Sequence, residues 1–228
     1  PISSVPTEDG VLAVAGDGGD FCMMRLDPCG ALWQGRMPAR IMTAPVAVPG
    51  RRVLIGDVSG NLWRCSLAAA EISARRRFNH PLSVPPLPYG EGGAIVSAGP
   101  EVHVFADLAK GEILARETFA APVTAMHGGE DGLYVATDDG FLAALKPPAF
   151  AVAWRLKLPR PAQSVLAGSN AVYAACEAEV LAFTGQGRPA WNFPCKGRVW
   201  AIENPDADHL LAGGEDRGVV LFDLAPDA

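Results

Sequence analysis

Long apolar runs are missing from this chain of 228 residues. No stretch of about twenty apolar residues occurs, so no transmembrane helix is expected. No charged start leads into an apolar segment, so no secretory leader is visible. The chain also lacks an initial Met, and its start is read as processed, trimmed or not included. Basic excess is absent too: 19 Lys and Arg face 25 Asp and Glu, a net charge of −6, which gives no electrostatic reason to expect nucleic acid. The one basic run, Arg75-Arg76-Arg77, reads as a solvated loop or strand edge.

Metal and nucleophile motifs are missing as well. The four His residues, His80, His103, His127 and His209, never fall at ligand spacing, and no metal site is expected. Neither GxSxG nor a phosphate-cradling GxxxxGK[ST] occurs. The five Cys, Cys22, Cys29, Cys65, Cys176 and Cys195, are odd in number and form no CxxC. They read as free thiols, mostly buried, of a reducing compartment, with a Cys22–Cys29 bridge as the alternative. No segment carries a 3.6-residue apolar stripe. The best helical candidate by propensity, "SLAAAEISARRR" at 66–77, sits where the repeat described below requires a turn and an outer strand.

What the chain has in abundance is turn chemistry, 25 Gly and 20 Pro spread along its length, and apolar residues at 49% against 19% charged. Short strands separated by turns, burying a sizeable core, fit that composition. A phrase recurs six times: "PISSVP" at 1–6, "RIMTAP" at 40–45, "PLSVPP" at 81–86, "PVTAM" at 122–126, "PAQSVL" at 161–166 and "RVWAI" at 198–202. An apolar run follows each copy. Aligned on Gly16, Gly56, Ala98, Ala136, Ala175 and Gly213, these runs step by 40, 42, 38, 39 and 38 residues. A turn such as "DGGD" (17–20), "DVSG" (57–60) or "DDG" (138–140) leads to a third strand-length run; Gly supplies the positive φ of a tight hairpin and Asp tolerates it. A fourth element carries Trp33, Trp154 and Trp191 in three repeats and has lost its Trp in "EISARRRF" at 71–78. The sixth repeat stops before that element.

A four-stranded unit of this size cannot bury both faces alone, and stacking such units around an axis solves the problem. The expected fold is therefore an all-β, six-repeat β-propeller of four-stranded antiparallel blades, the last lacking its outer strand, within a single domain, 1–228. The blades span about 1–39, 40–80, 81–120, 121–159, 160–197 and 198–228. The opening phrase reads as the axis-proximal strand of each blade. Its fourth residue, Ser4, Thr43, Val84, Ala125, Ser164 or Ala201, is small or β-branched and lets blades approach closely.

The order of a Pro- and Ser-bearing opening, an apolar run, Asp-Gly, a strand and then G-x-x-x-W resembles the repeats of quinoprotein-type propellers, along the whole chain. "GQGRPAWNFPCKGRVWA" at 185–201 looks like a blade junction of the propellers fused to acyl-adenylating enzymes of the β-alanine-activating type. The resemblance implies architecture and not activity. Quinone enzymes of the family typically hold their cofactor beneath two adjacent Cys and bind calcium or a lanthanide through Glu, Asn and Asp; neither set can be matched here, so no catalytic, cofactor-binding or metal residue is carried over.

The expected function is therefore non-catalytic: a protein-interaction or scaffold propeller, binding a protein or peptide partner or another domain of the same polypeptide, with no cofactor. Trp200, Arg198, Glu203, Thr43 and Ser164 are its candidate channel or partner surface. A quinone-dependent redox enzyme and a channel-mouth hydrolase or lyase are the alternatives. A cytoplasmic location is expected, or a periplasmic one if a leader was removed. A missing outer strand in the last repeat suggests an excerpt from a longer protein with more blades.

Overall fold

The computed structural model describes residues 2–6, 10–66, 69, 71–169, 171–206, 208–216 and 218–224. All regular structure among them is β. Six antiparallel sheets follow one another along the chain. The first holds β1 (Ile2–Pro6), β2 (Val11–Gly16), β3 (Asp20–Leu26) and β4 (Cys29–Arg36). The second holds β5 (Val46–Val48), β6 (Arg52–Gly56), β7 (Asn61–Ser66) and β8 (Glu71–Arg77). The third holds β9 (Leu87–Tyr89), β10 (Gly93–Ala98), β11 (Glu101–Asp107) and β12 (Glu112–Thr118). The fourth holds β13 (Val123–Gly129), β14 (Gly132–Thr137), β15 (Phe141–Lys146) and β16 (Ala151–Lys157). The fifth holds β17 (Ala162–Ala167), β18 (Ala171–Cys176), β19 (Glu179–Thr184) and β20 (Pro189–Pro194). The sixth has three strands, β21 (Val199–Asp206), β22 (His209–Gly214) and β23 (Val219–Asp223).

Strands pair in chain order within every sheet, the meander that short loops permit. Hairpin glycines do what their sequence position demands. Gly60 adopts φ 79°, and a Cβ there would lie 2.5 Å from the Phe78 carbonyl oxygen. That closeness has a purpose: the Phe78 N–H donates to the Gly60 carbonyl at 2.7 Å and pins the end of β8 to the hairpin. The same bond recurs from Met37 to Gly19 and from Leu158 to Gly140, each at 2.8 Å. Within the helix candidate at 66–77, residues 67, 68 and 70 lie outside the described residues, and β8 occupies 71–77, where the Arg75 guanidinium donates to Asn61 Oδ1 at 2.9 Å.

Two opening phrases depart from the expected strands. In the second and third sheets the first strand lies after the phrase, at Val46–Val48 and Leu87–Tyr89. Pro45, Pro85 and Pro86 lack the N–H that a ladder needs. The phrases instead pack as irregular chain, with Thr43, Leu82 and Val84 buried. Thr43 substitutes for a paired strand: its Oγ1 accepts the Gly56 N–H at 3.3 Å and donates to the Gly56 carbonyl at 3.4 Å.

The chain divides into two compact units, Pro1–Thr118 and Phe119–Ala228. In the first, Val11, Ala13, Ala15, Phe21 and Met23 of the first sheet pack on Val53, Ile55, Trp63 and Cys65 of the second. The other face of the second sheet, Leu54 and Leu62, meets Ala94, Val96, Ala98 and Phe105 of the third. In the second unit, Tyr134, Ala136, Leu142 and Ala144 of the fourth sheet pack on Val172, Ala174, Cys176, Leu181 and Phe183 of the fifth. The fifth sheet turns Tyr173, Ala175, Val180 and Ala182 toward Val199, Ile202, Leu210 and Ala212 of the sixth. Consecutive sheets within each unit are thus stacked face to face, and the first strands lie side by side, β1 by β5 by β9 and β13 by β17 by β21.

Candidate functional site

The first strands of the second unit carry most of the residues singled out in the sequence. β13, β17 and β21 each contain an irregularity in their pairing at the same place, after Val123, Ala162 and Val199. The residues set off there are Thr124, Gln163 and Trp200. A bulge leaves one residue out of the ladder and re-aims its side chain. Thr124 uses the freedom to bridge sheets, its Oγ1 donating to the Ala162 carbonyl at 2.7 Å. Trp200 is 48% exposed, with the Arg198 guanidinium 5.1 Å from its ring centroid, a cation–π arrangement.

These first strands are not hydrogen-bonded to one another as a sheet, so side chains make the connections. Ser164 Oγ accepts the Ile202 N–H at 3.4 Å. His127 Nδ1 accepts the Ala167 N–H at 3.1 Å. Because a backbone amide can only donate, the neutral ring must carry its proton on Nε2. Burial lowers the pKa of His127, opposed by the charge of Glu203, and keeps the ring neutral. Asn204 Oδ1 is buried beside this row with no hydrogen-bond partner, and its Nδ2 lies against Gly168.

Four of the five candidate residues, Trp200, Arg198, Glu203 and Ser164, therefore belong to one row on β17 and β21 and the turn before β21. Thr43 belongs to the first unit and is spent on Gly56. Sequence reading passed over His127 and Asn204. His127 carries a usable signal, a polar residue in a first strand otherwise made of small and apolar ones; Asn204 lies past the recurring phrase and has none.

Other candidates have structural positions. The Asp57 carboxylate is fully buried and accepts from the Ser59 and Asn61 N–H groups, Asn61 Nδ2 and Trp63 Nε1, all at 2.8–3.0 Å. This explains why Trp63 falls outside the Trp positions of the repeat. Trp154 Nε1 donates to the Gly185 carbonyl of the next sheet at 2.9 Å, and Trp191 stacks on Phe222 with centroids 5.9 Å apart; both join adjacent sheets. His103 stands buried on β11 between Phe78 and Phe105, its Nε2 3.1 Å from Glu101 Oε2. All five thiols are free. The pairing Leu26↔Cys29 and Cys22↔Gln34 separates Cys22 from Cys29 along the β3–β4 ladder, and burial pushes the Cys65 and Cys176 thiols up to about 12. Among the described residues no three His, Cys, Asp or Glu side chains converge as a metal site, and no helix is long and apolar enough to cross a membrane.

The fold defined by these sheets is a known one, although no family model and no curated protein matches the chain. Matching solved chains number 1595, so the architecture is common and selects no activity by itself. One of them is the computationally designed protein Ika8: the alignment covers 98% of this chain and 71% of that one, with a TM-score of 0.84 and 12% identity. At that identity the likeness concerns the fold alone.

Proposed function

We propose that the chain is a β-propeller of the quinoprotein-like repeat type that acts as a non-catalytic protein-interaction or scaffold domain, binding a partner protein or another domain of its own polypeptide. The observation that carries this reading is the exposed Trp200 with Arg198 against its ring, at a bulge on a first strand. Trp and Arg dominate the binding energy of protein interfaces, and Trp200 sets a large ring half out in water beside the buried Val199. Ser164 and Glu203 are polar groups on the same pair of strands. The free thiols suit a reducing, cytoplasmic compartment. The test is capture of a partner by the immobilised domain, compared with Trp200→Ser and Arg198→Ser. Capture by the unaltered domain that both variants lose supports the reading; equal capture by all three removes this surface from it.

A hydrolytic or lyase reading rests on the charge of Glu203 acting at His127. It is weaker, because His127 spends its Nδ1 lone pair on the Ala167 amide and so presents a donor and no basic nitrogen. Turnover that persists in the unaltered domain and disappears in Glu203→Gln would reverse this ranking. Quinone chemistry is tested by titration with the quinone, with binding as the readout.

A further inference from the structure

We infer that the second unit carries a binding site for a small organic cation, a hydroxyl-bearing ammonium compound the size of one sugar ring, between its fourth and fifth sheets. Three turns meet there. Glu130 and Asp131 form the turn from β13 to β14, Ser169 follows β17, and Gln186 lies in the turn from β19 to β20. Together with Tyr134 of β14 they line a cavity of about 260 Å³. Ligand sites are concave, hold a few convergent polar groups and usually span about 300–1,000 Å³, so this one takes a small molecule. The two sheets approach closely beside it: a Cβ on Gly129 would lie 2.8 Å from Ala167 Cβ. From the fourth sheet, Asp131 Oδ2 comes within 3.8 Å of the place a Cβ on Gly185 of the fifth would take. Groups of both sheets therefore reach one bound molecule.

Tyr134 points to a ligand. Its side chain is 4% exposed, with the ring 6.0 Å from that of Trp154. Its hydroxyl makes no hydrogen bond to another described residue, although a buried tyrosine hydroxyl normally finds a partner. Because Tyr134 lines the cavity, a bound molecule can supply that partner. Burial and then the charge of Asp131 raise the Tyr134 pKa, so the phenol stays protonated and can both donate and accept. Charge selects the class of ligand. The described lining holds two carboxylates, Glu130 and Asp131, and no Lys, Arg or His, which repels anions and favours a cation. Lys146 Nζ stands 3.6 Å from Asp131 Oδ2, longer than a hydrogen bond, and leaves the carboxylate acceptor capacity for an ammonium group. Ser169 and Gln186 offer partners to hydroxyls. No three His, Cys, Asp or Glu side chains converge among the described residues, which argues for an organic cation over a metal ion. This inference rests on the fourth and fifth sheets of one unit and on neither the propeller reading nor the Trp200 surface.

The experiment is titration calorimetry of the 228-residue chain with glucosamine, glucose and glucuronate, which share one ring and are cationic, neutral and anionic. Glucosamine is expected to bind 1:1, about tenfold or more tighter than the other two, and to weaken as salt rises. Glu130→Gln with Asp131→Asn removes the charge at two exposed positions and should weaken glucosamine about tenfold or more. Tyr134→Phe keeps the buried ring, removes the hydroxyl and should also weaken it about tenfold. Glu112→Gln, in the first unit, should bind as the unaltered chain does. Far-UV dichroism and thermal melts establish that each variant is folded; if Tyr134→Phe is not, the exposed double variant decides. The inference is overturned by a chain that shows no saturable glucosamine binding, by glucose or glucuronate binding as tightly, or by binding that a folded pocket variant retains in full. Partner capture through Trp200 is read separately, so either proposal can fail while the other stands.

Discussion

The fifth and sixth sheets belong to the same unit and follow the same repeat pattern, yet they are built differently. β18 is buried on both faces from Val172 to Cys176, whereas β22 alternates, with Leu210 and Ala212 buried and Leu211 and Gly213 only partly so. Within this unit the fifth sheet has a stacked neighbour on each side, and the sixth packs on the fifth. The first and second sheets repeat the contrast in the other unit, where β2 alternates and β6 is buried almost throughout. A strand buried on both faces reads as an apolar run, and a strand buried on one face alternates. Here the alternation appears in burial although the sequence stays apolar.

The sharpest way to break this comparison is to truncate two leucines on opposite faces of the sixth sheet. Leu210 is fully buried and Leu221 is 58% exposed. Leu210→Ala should cost about 2–5 kcal/mol, the range for a buried leucine, and Leu221→Ala less than about 0.5 kcal/mol, as for an exposed one, in urea melts at low protein concentration. Equal costs would mean that the outward face is covered in the monomer.

The next contrast lies in two hairpin aspartates of the first unit. Asp57 of the second sheet is buried and receives donors from Ser59, Asn61 and Trp63. Asp57→Ala leaves several donors unpaired and should lower stability by about 1–3 kcal/mol or more. Asp17 holds the equivalent place in the first sheet and pairs with Arg40 across 2.6 Å in an exposed position. Asp17→Ala should leave the melting temperature within experimental error, since exposed ion pairs contribute little.

These pairs show how far the sequence was legible. Six repeats, their order of strands and the glycine hairpins follow from apolar runs and Asp-Gly turns, because those signals are local. Register between repeats was not legible. Gly56, Ala98, Ala136, Ala175 and Gly213 align at regular steps, yet Ala136 and Ala175 face the following sheet while Ala98 faces the preceding one. Ala98 is the last residue before its two-residue turn, as Cys176 is in the fifth sheet, whereas Ala175 lies one residue further from the turn, and a shift of one residue flips every side chain. The short first strands of the second and third sheets were hidden for another reason, since the recurring phrase there is held by packing and by Thr43 instead of by a ladder. Of the candidate site, Trp200 and Arg198 stand out as large residues in a phrase of small ones. The neutrality of His127 depends on an amide forty positions later and no local pattern encodes it.

Two histidines of the second unit should respond to pH in opposite directions. His127 is held neutral by burial, with its pKa below 6.5. The unfolded chain then takes up a proton that the folded one resists, so stability is lost as pH falls through about 6.5 toward the folded value. His209 on the sixth sheet has its pKa raised, chiefly by its hydrogen bond with Asp206. Its contribution is present below the ordinary histidine pKa and fades as pH rises through the folded value. His127→Gln should flatten the acid side of a plot of unfolding midpoint against pH. His209→Asn should produce a much smaller change on the opposite side, as its ring is partly exposed and its pair with Asp206 is screened by solvent. His103, buried with its pKa lowered by desolvation, adds to the acid loss in both variants and must be removed, as His103→Phe, before the two slopes are compared.

The smallest effect on folding is expected where the effect on binding should be largest. Trp200 leaves the β21–β22 ladder at a bulge, is 48% exposed, has the Arg198 guanidinium 5.1 Å from its ring centroid, and lies outside the core cluster that holds Val199 and Ile202. Trp200→Ser should therefore shift the unfolding midpoint by no more than about 0.5 kcal/mol. If Trp200 is instead a packing residue of the kind represented by Trp154, whose indole N–H is committed to Gly185, its loss would cost several times that amount and partner capture would fall only in proportion to the unfolded fraction. Measuring both quantities on the same variant separates the two roles. An unchanged melt with lost capture identifies a surface kept for a partner; a lowered melt with capture intact in the folded fraction makes Trp200 one more joint between sheets.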